Sequence, residues 1–387
     1  MAFYWQFVSI FMALGYAWLI WKYRRAWQQI PEFVPSPSWT PQKRISVLIP
    51  ARNEARHLPE CIRSITGGTY PAHLLEIIVV DDFSAPDEDP RLFWTDLLCD
   101  CPATLTLLRL EDFLSPEARF TANKKKAIAW AVSAASGDIV VTTDADVVAP
   151  PEWLHQIAAC FEAANARMVC APVLFFREKN RFQRFQSLDF IAMAGIGASG
   201  LALGWHAVAN GANLAYRRSL FAEMKGYDGN EHIASGDDMF LAQKVFDHHP
   251  DGVFYLKNRA AVVCTEPAPD LVSFWHQRLR WGAKNAAFPN WRLRLSLLLT
   301  GAFCGSILLN AGWLFCGGQL ALTLGLQLLT KALADALFLS AICRFFNRSD
   351  LMRSFFSSFF LHIAYIGVMG GAGLFVKKYR WKGRQTS

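Results

Sequence analysis

The sequence predicts an α/β fold: one doubly wound sheet domain flanked on both sides by helices of membrane-spanning length. Three observations carry this. Short β-branched apolar runs recur at 45–49 (ISVLI), 76–80 (EIIVV) and 138–142 (DIVVT), and helical patterns alternate with them. Near-continuous apolar strands imply burial on both faces, as in a parallel sheet, and a βαβα order implies a right-handed doubly wound arrangement. Residues 1–21, 295–330 and 354–376 carry no charged side chain, and about 20 apolar residues at about 1.5 Å each cross a bilayer core. The chain has 387 residues, 53% hydrophobic and 18% charged, with a mean hydropathy of +0.18. That excludes a purely soluble protein, a polytopic bundle, a disordered chain and a disulfide-stapled one.

The expected organisation is an N-terminal anchor (1–22), a linker (23–42), a sheet domain (43–290), a C-terminal membrane region (291–376) and a basic tail (377–387). The first apolar run is longer than the ~7–15 residues of a signal-peptide core, and no small-residue cleavage site follows it. Lys22, Arg24 and Arg25 follow instead. By the positive-inside rule they place the following domain in the cytoplasm. Pro31, Pro35, Pro37 and Pro41 read as a stiff linker. Nine cysteines, with no C-x-x-C pair, fit free thiols in a reducing compartment.

In the sheet domain a further strand is expected at 104–109, with helices at about 54–66, 90–99, 123–135 and 151–164. Ligands of such sheets sit at the carboxyl ends of the strands. Each of the first three strands ends in a polar cluster: Pro50, Ala51, Arg52, Asn53 and Glu54; then Asp81 and Asp82; then Asp144, Ala145 and Asp146. Alone, each pattern is a common turn or helix start. Three at one sheet edge read as a site. The two carboxylates of Asp144 and Asp146 suit Mg2+ or Mn2+, particularly where a diphosphate supplies further oxygens. Lys124, Lys125 and Lys126 open the next helix, where they are either a solvated face or a phosphate neutraliser. Asp237 and Asp238 follow Gly236 at another helix start, as caps or as a general base.

At the C-terminal side, residues 295–330 would form roughly 54 Å of helix, too long for one span. A break at Gly317-Gly318 is expected, giving spans at 295–316 and 319–342, with a third at 354–376. Lys331 and Asp335 lie one helical turn apart within the second, and intramembrane charges are costly unless paired or turned inward. Arg344, Arg348 and Arg353 in the last loop and Lys377, Lys378, Arg380, Lys382 and Arg384 in the tail are all basic, yet a single span separates them. Either the tail is outside, or one segment is re-entrant or interfacial, which leaves two or three crossings. The net charge of +7 follows partly from such flanks, which favour anionic lipid head groups. Nothing suggests nucleic-acid binding. His276-Gln277-Arg278-Leu279-Arg280-Trp281 lies shortly before the second apolar stretch and reads as an interfacial amphipathic helix.

Taken in order, PARNE at 50–54, VVDD at 79–82, DAD at 144–146, GDD at 236–238 and QRLRW at 277–281 resemble family 2 glycosyltransferases of the GT-A type. The resemblance is to the membrane-bound branch with the D, D-x-D, D, Q-x-x-R-W signature, which includes cellulose, chitin and hyaluronan synthases, ceramide glucosyltransferase and bacterial lipid or carotenoid glycosyltransferases. It covers roughly residues 43–285. It implies a GT-A, Rossmann-like mixed sheet and an inverting, metal-dependent hexosyl transfer from a nucleotide sugar such as a UDP- or GDP-sugar. By the same resemblance Asp81 and Asp82 contact the base or ribose with Pro50, Arg52, Asn53 and Glu54, and Lys126 lies near the base or diphosphate. Asp144 and Asp146, with Ala145 between them, hold Mg2+ or Mn2+ and the diphosphate. Asp238, beside Asp237, is the catalytic base. Gln277, Arg280 and Trp281 close over donor and acceptor. Asn210, Gly211 and Asn213 face the acceptor. The family's T-E-D motif reads Gly236-Asp237-Asp238 here, with Gly236 in place of threonine and Asp237 in place of glutamate.

The mechanism expected is one in-line displacement, with Asp238 taking the acceptor proton. No candidate nucleophile for a double displacement is visible. Few spans are on offer for a polymer-conducting pore, so a single transfer to a lipid at the bacterial inner membrane is favoured. The rivals are a small processive polysaccharide synthase and a non-catalytic nucleotide-sugar-binding subunit. A transporter is disfavoured because no inverted repeat of spans is visible.

Overall fold

The structure, a computed structural model, describes residues 2–114, 123–231, 233, 236–314, 320–372, 379–381 and 384–386. In chain order the elements run α1 (Ala2–Gln29), β1 (Ile45–Ala51), α2 (Leu58–Thr66), β2 (Leu75–Asp81), α3 (Trp94–Asp100), β3 (Thr104–Arg109), α4 (Leu110–Phe113), α5 (Asn123–Ala134), β4 (Ile139–Thr142) and α6 (Trp153–Ala163). They continue with β5 (Met168–Cys170), β6 (Val173–Phe175), α7 (Arg181–Ala202), β7 (Leu214–Arg217), α8 (Arg218–Glu223), α9 (Asp237–His248), β8 (Val253–Tyr255), β9 (Val263–Thr265), α10 (Leu271–Ala287), α11 (Trp291–Leu314), α12 (Ala321–Phe345) and α13 (Phe355–Ala372). Two compact units form. One holds Pro31–Phe176 and Ala207–Glu266 with Arg380–Ser387; the other holds Met1–Ile30, Arg177–His206 and Pro267–Tyr379. The interval 43–290, expected as one domain, is thus shared between them.

The sheet unit is built on seven strands in the order β3-β2-β1-β4-β7-β5-β8. β1 pairs in parallel with β2 from Ile45↔Leu75 to Ala51↔Asp81, and with β4 from Ile45↔Ile139 to Leu48↔Thr142. Ile45, Val47, Leu48 and Ile49 are wholly buried, each stabilising the fold by about 1.5–3 kcal/mol. Pro50 falls beyond the β4 ladder, where β2 alone still pairs, a position that tolerates its missing N–H. β7 runs antiparallel to both β4 and β5. Its first residues therefore lie at the edge where the other strands end. A small second sheet pairs β6 with β9.

The amino-terminal edge of the main sheet is sealed. The buried Glu76 carboxylate accepts from Ser46 Oγ at 2.5 Å, Ser136 N at 2.9 Å and Ser136 Oγ at 3.0 Å. The carboxyl edge is where polar groups converge.

In the helical unit, among the described residues, four helices are long and apolar enough to cross a membrane: Phe3–Gln29, Trp291–Leu314, Ala321–Phe345 and Ser349–Val368. Three of them are C-terminal. Gly317-Gly318, Cys316 and the tail lysines Lys377, Lys378 and Lys382 lie outside the described residues. α1 continues past the expected boundary at residue 22 because its basic end packs. Lys22 lies over the Trp18 and Trp21 rings, and Tyr23 and Trp27 are buried. Lys331 is fully buried and paired as the spacing predicts: its ammonium is 2.5 Å from Asp335 Oδ2 and donates to the Tyr16 hydroxyl at 3.1 Å. Tyr16 donates to Asp335 Oδ1 at 2.5 Å. The eight described cysteines are free thiols.

Candidate active site

At the exits of β1 and β2 the backbone is braced by side chains. The Arg52 guanidinium donates through Nη1 to the carbonyls of Asp82 (2.6 Å) and Phe83 (2.9 Å). Asn53 adopts a left-handed φ of 52°, which asparagine tolerates. Its N–H donates to Ser84 Oγ, and its Oδ1 accepts from Ala85 N, each at 2.9 Å. Glu54 pairs with His57 at 2.8 Å. Arg52 and Asn53 thereby fix the loop that begins at Asp81 and Asp82.

Asp81 is buried. Ser84 N donates to its Oδ2 at 3.3 Å, while its Oδ1 is shielded from solvent and has no hydrogen-bond partner among the described residues. Burial pushes its carboxyl above the usual carboxylate range, against the opposing effect of the Ser84 hydrogen bonds. A buried acceptor of this kind costs free energy until a donor reaches it. Asp82 Oδ1 accepts from Asn123 Nδ2 at 2.8 Å.

At the exit of β4, Ala145 turns into the core while Asp144 is half-buried and Asp146 exposed. The one-residue spacing thus sends both carboxylates outward. Lys124 Nζ donates to Asp144 Oδ1 at 2.8 Å and lies 3.6 Å from Asp237 Oδ2. Burial alone would lower its pKa. The carboxylates of Asp144, Asp237 and Asp238 outweigh that and hold the ammonium above the ordinary lysine range. α5 therefore ties the clusters together through consecutive residues, Asn123 on Asp82 and Lys124 on Asp144.

Asp237 and Asp238 begin α9, where the helix dipole favours negative charge. Gly236, just before them, has φ 81°, a conformation that glycine adopts at no steric cost. Asp238 Oδ2 accepts from Gly211 N at 2.9 Å. Gly211 is held in turn: its carbonyl accepts from Thr142 Oγ1 at 2.9 Å, and Asn210 Oδ1 caps the turn from Ala212 N at 3.0 Å. A Cβ on Gly211 would meet Asp237 Oδ2 at 3.3 Å and Lys124 Nζ at 3.4 Å. The absent side chain keeps that space open.

Asn213, expected to face the acceptor, is fully buried. It accepts from Trp153 Nε1 and donates to the carbonyls of Pro172 and Ala261. It joins three segments of the sheet unit. Gln277, Arg280 and Trp281 lie on α10, in the helical unit.

Asn123 was not singled out from sequence, and Lys124 was read only as one of three lysines, with Lys126 taken as the one near the base or diphosphate. The three lysines of α5 part company on folding. Lys124 enters the carboxylate cluster, whereas Lys125 donates to the Asn230 carbonyl at 2.7 Å and lies over the Phe240 and Tyr227 rings. The available signal was position, since the first residues of a helix entering at the carboxyl edge face the site. Among the described residues no group of three or more His, Cys, Asp or Glu is placed to hold a metal ion. Asp144 and Asp146 offer two hard oxygen donors and fit a divalent ion that brings its remaining ligands on a diphosphate.

A family model described as Glycosyl transferase family group 2 matches residues 139–370, and one described as Glycosyl transferase family 2 matches residues 46–93. The chain is similar to the probable glycosyltransferase YdaM of Bacillus subtilis (strain 168), 26% identical over 249 residues that cover 62% of this chain and 55% of that one. It is also similar to the undecaprenyl-phosphate 4-deoxy-4-formamido-L-arabinose transferase of Pseudomonas syringae pv. syringae (strain B728a), 28% identical over 186 residues, 48% of this chain and 50% of that one. The chain spans about half the length of these curated relatives. In fold it is similar to the mannosyltransferase PcManGT from Pyrobaculum calidifontis, solved with GDP-Man and Mn2+: TM-score 0.54, 18% identity, 96% of this chain and 99% of that one.

Proposed function

Because the chain belongs to glycosyl transferase family group 2, we propose that it moves a hexosyl group, with inversion, from a nucleoside-diphosphate sugar to a lipid acceptor at a membrane surface. The observation that carries this is the cluster at the β4 exit. Asp238, oriented by the Gly211 N–H, stands beside Lys124 and the outward pair Asp144 and Asp146.

Each residue has a task in this reading. The unpartnered Asp81 Oδ1 accepts a hydrogen bond from an N–H of the base, with Asp82 and Asn123 beside it. Lys124 neutralises the diphosphate. Asp144 and Asp146 would hold Mg2+ or Mn2+, which supplies positive charge to the leaving diphosphate. Asp238 takes the proton of an acceptor hydroxyl as its oxygen attacks the anomeric carbon. The bond from that carbon to the diphosphate oxygen breaks, and the nucleoside diphosphate leaves with its electron pair. Gln277 and Arg280, on α10 of the helical unit, are the further residues that the resemblance assigns to the donor. Asn213 is left out, since its polar atoms are engaged internally.

The four apolar helices and the bacterial relatives support an integral protein of the bacterial inner membrane. The basic end of α1 supports a cytoplasmic site. The choice between UDP and GDP sugars, and the sugar itself, are open to the assay. Membranes containing the chain, incubated with radiolabelled nucleotide sugars and Mg2+ or Mn2+, should yield label in a discrete, organic-extractable glycolipid. Label in a growing polymer would instead mark a processive synthase. Asp238→Asn should keep donor binding and lower transfer by about 100-fold or more. Transfer near the wild-type rate would remove Asp238 as the base.

A further inference from the structure

Within the helical unit, α10 carries two pairs of motif residues that point to different surroundings. Positions three apart share a helix face. Arg278 and Trp281 form one such pair, Gln277 and Arg280 the other, on the neighbouring face. The Arg278 side chain is 0% exposed and that of Asp189, on α7, is 8% exposed, with Nη2 and Oδ2 2.9 Å apart. The guanidinium lies 4.2 Å from the Trp281 ring centroid and 4.9 Å from that of Phe274. The next residue of α7, Phe190, stacks on Trp281 with centroids 5.8 Å apart and an interplanar angle of 26°. Arg278 Nη1 also reaches Met193 Sδ on α7 at 3.5 Å.

A cation this deeply buried is tolerated only with a counter-charge, and Asp189 supplies it. Burial raises the Asp189 carboxyl, and Arg278 opposes that rise. The contact is an ion pair without hydrogen-bond alignment, since Nη2 and Oδ2 both lack a directed hydrogen bond among the described residues. A charge-only contact fixes distance loosely. The Phe190–Trp281 stack adds a second point, and two points fix rotation of a helix about its axis.

We propose that Asp189 with Phe190, and Arg278 with Trp281, form a two-point clasp that sets the rotation of α10 on α7 and so aims Gln277 and Arg280. Asp189, Phe190 and Arg278 are then positioning residues, and Trp281 takes part in the clasp through its stack on Phe190. The inference rests on the proposed function only for what Gln277 and Arg280 are aimed at.

The test uses the full chain in detergent micelles, with Asp189→Asn, Arg278→Lys, Phe190→Leu and Phe190→Tyr. Hydrogen–deuterium exchange over residues 271–287 reads the clasp without any need for turnover. Kinetics with the nucleotide sugar used by the wild type reads its consequence. The first three variants should exchange faster over 271–287 and lose about tenfold to a hundredfold in kcat, with the donor KM within about twofold. Phe190→Tyr, which keeps the stack, should match the wild type in both. Unchanged exchange in folded variants overturns the clasp. So does a rise in donor KM at constant kcat in Arg278→Lys, which would make Arg278 a donor contact. Should Asp189→Asn fail to fold, Phe190→Leu and Arg278→Lys still decide. A wild type that turns over no nucleotide sugar would sink the functional reading while the exchange data still judge the clasp.

Discussion

Asp81 shows a cost of the site at the scale of one residue. Its folded-state pKa is raised, chiefly by burial. The folded state therefore holds the proton more tightly than the unfolded state does. The stability this contributes is present below the ordinary aspartate pKa of ~3.9 and lost as pH rises through the raised folded value. At neutral pH an ionised, buried Asp81 weakens the fold. Asp81→Asn should raise the Tm at pH 7, with the gap closing toward about pH 4, and weaken nucleotide-sugar affinity by about tenfold, the value of one lost hydrogen bond to a charged group. Thermal unfolding across pH and a binding titration check both halves. The carboxylates of Asp81, Asp82, Asp144 and Asp146 were legible in the sequence because each pair follows a buried apolar run. The choice among Lys124, Lys125 and Lys126 was not. Successive helical residues turn about 100°, so neighbours of one type meet different surroundings. Lys124 meets Asp144 and Lys125 meets Phe240.

At the scale of elements, Gly236 explains a departure that the sequence left unexplained. The position that the resembled T-E-D motif fills with threonine has φ 81° and ψ 24° here, and a left-handed conformation costs a residue with a Cβ about 1–2 kcal/mol. Gly236→Thr should lose about that much stability in chemical denaturation and lower kcat more than it raises the donor KM, because Asp238 lies two residues on. β1 to β4 and the helices beside them were readable, since long aliphatic runs alternate with clear helical stretches. β5, β6, β8 and β9 were not, being three residues each, too short to show a period. The reversed direction of β7 was also hidden, because an antiparallel strand buried on both faces has the same composition as a parallel one.

At the scale of the whole molecule, the sequence showed the apolar ends but not that Arg177–His206 and Pro267–Tyr379 would join them in one unit. α7 is apolar enough to pack in either unit, and its place depends on distant partners. The pairing of Lys331 with Asp335 was legible from spacing; Tyr16, far away in sequence, was not. Breaking a buried pair by removing one partner costs about 3–5 kcal/mol. Lys331→Met should lower stability by about that amount in detergent unfolding, and Lys331→Met with Asp335→Leu should recover most of it. Nucleotide affinity of the sheet unit should be unchanged in both.

The interleaving of the two units also governs biosynthesis. β7 lies between β4 and β5 in the sheet, yet Leu214–Arg217 follows α7 along the chain. On the ribosome the centre of the sheet stays open until after α7 has emerged, at roughly 5–20 residues per second. The helical unit in turn waits for α10 to α13. Neither unit can finish before the other has begun, so a nascent chain stalled between residues 202 and 214 holds two incomplete cores at once.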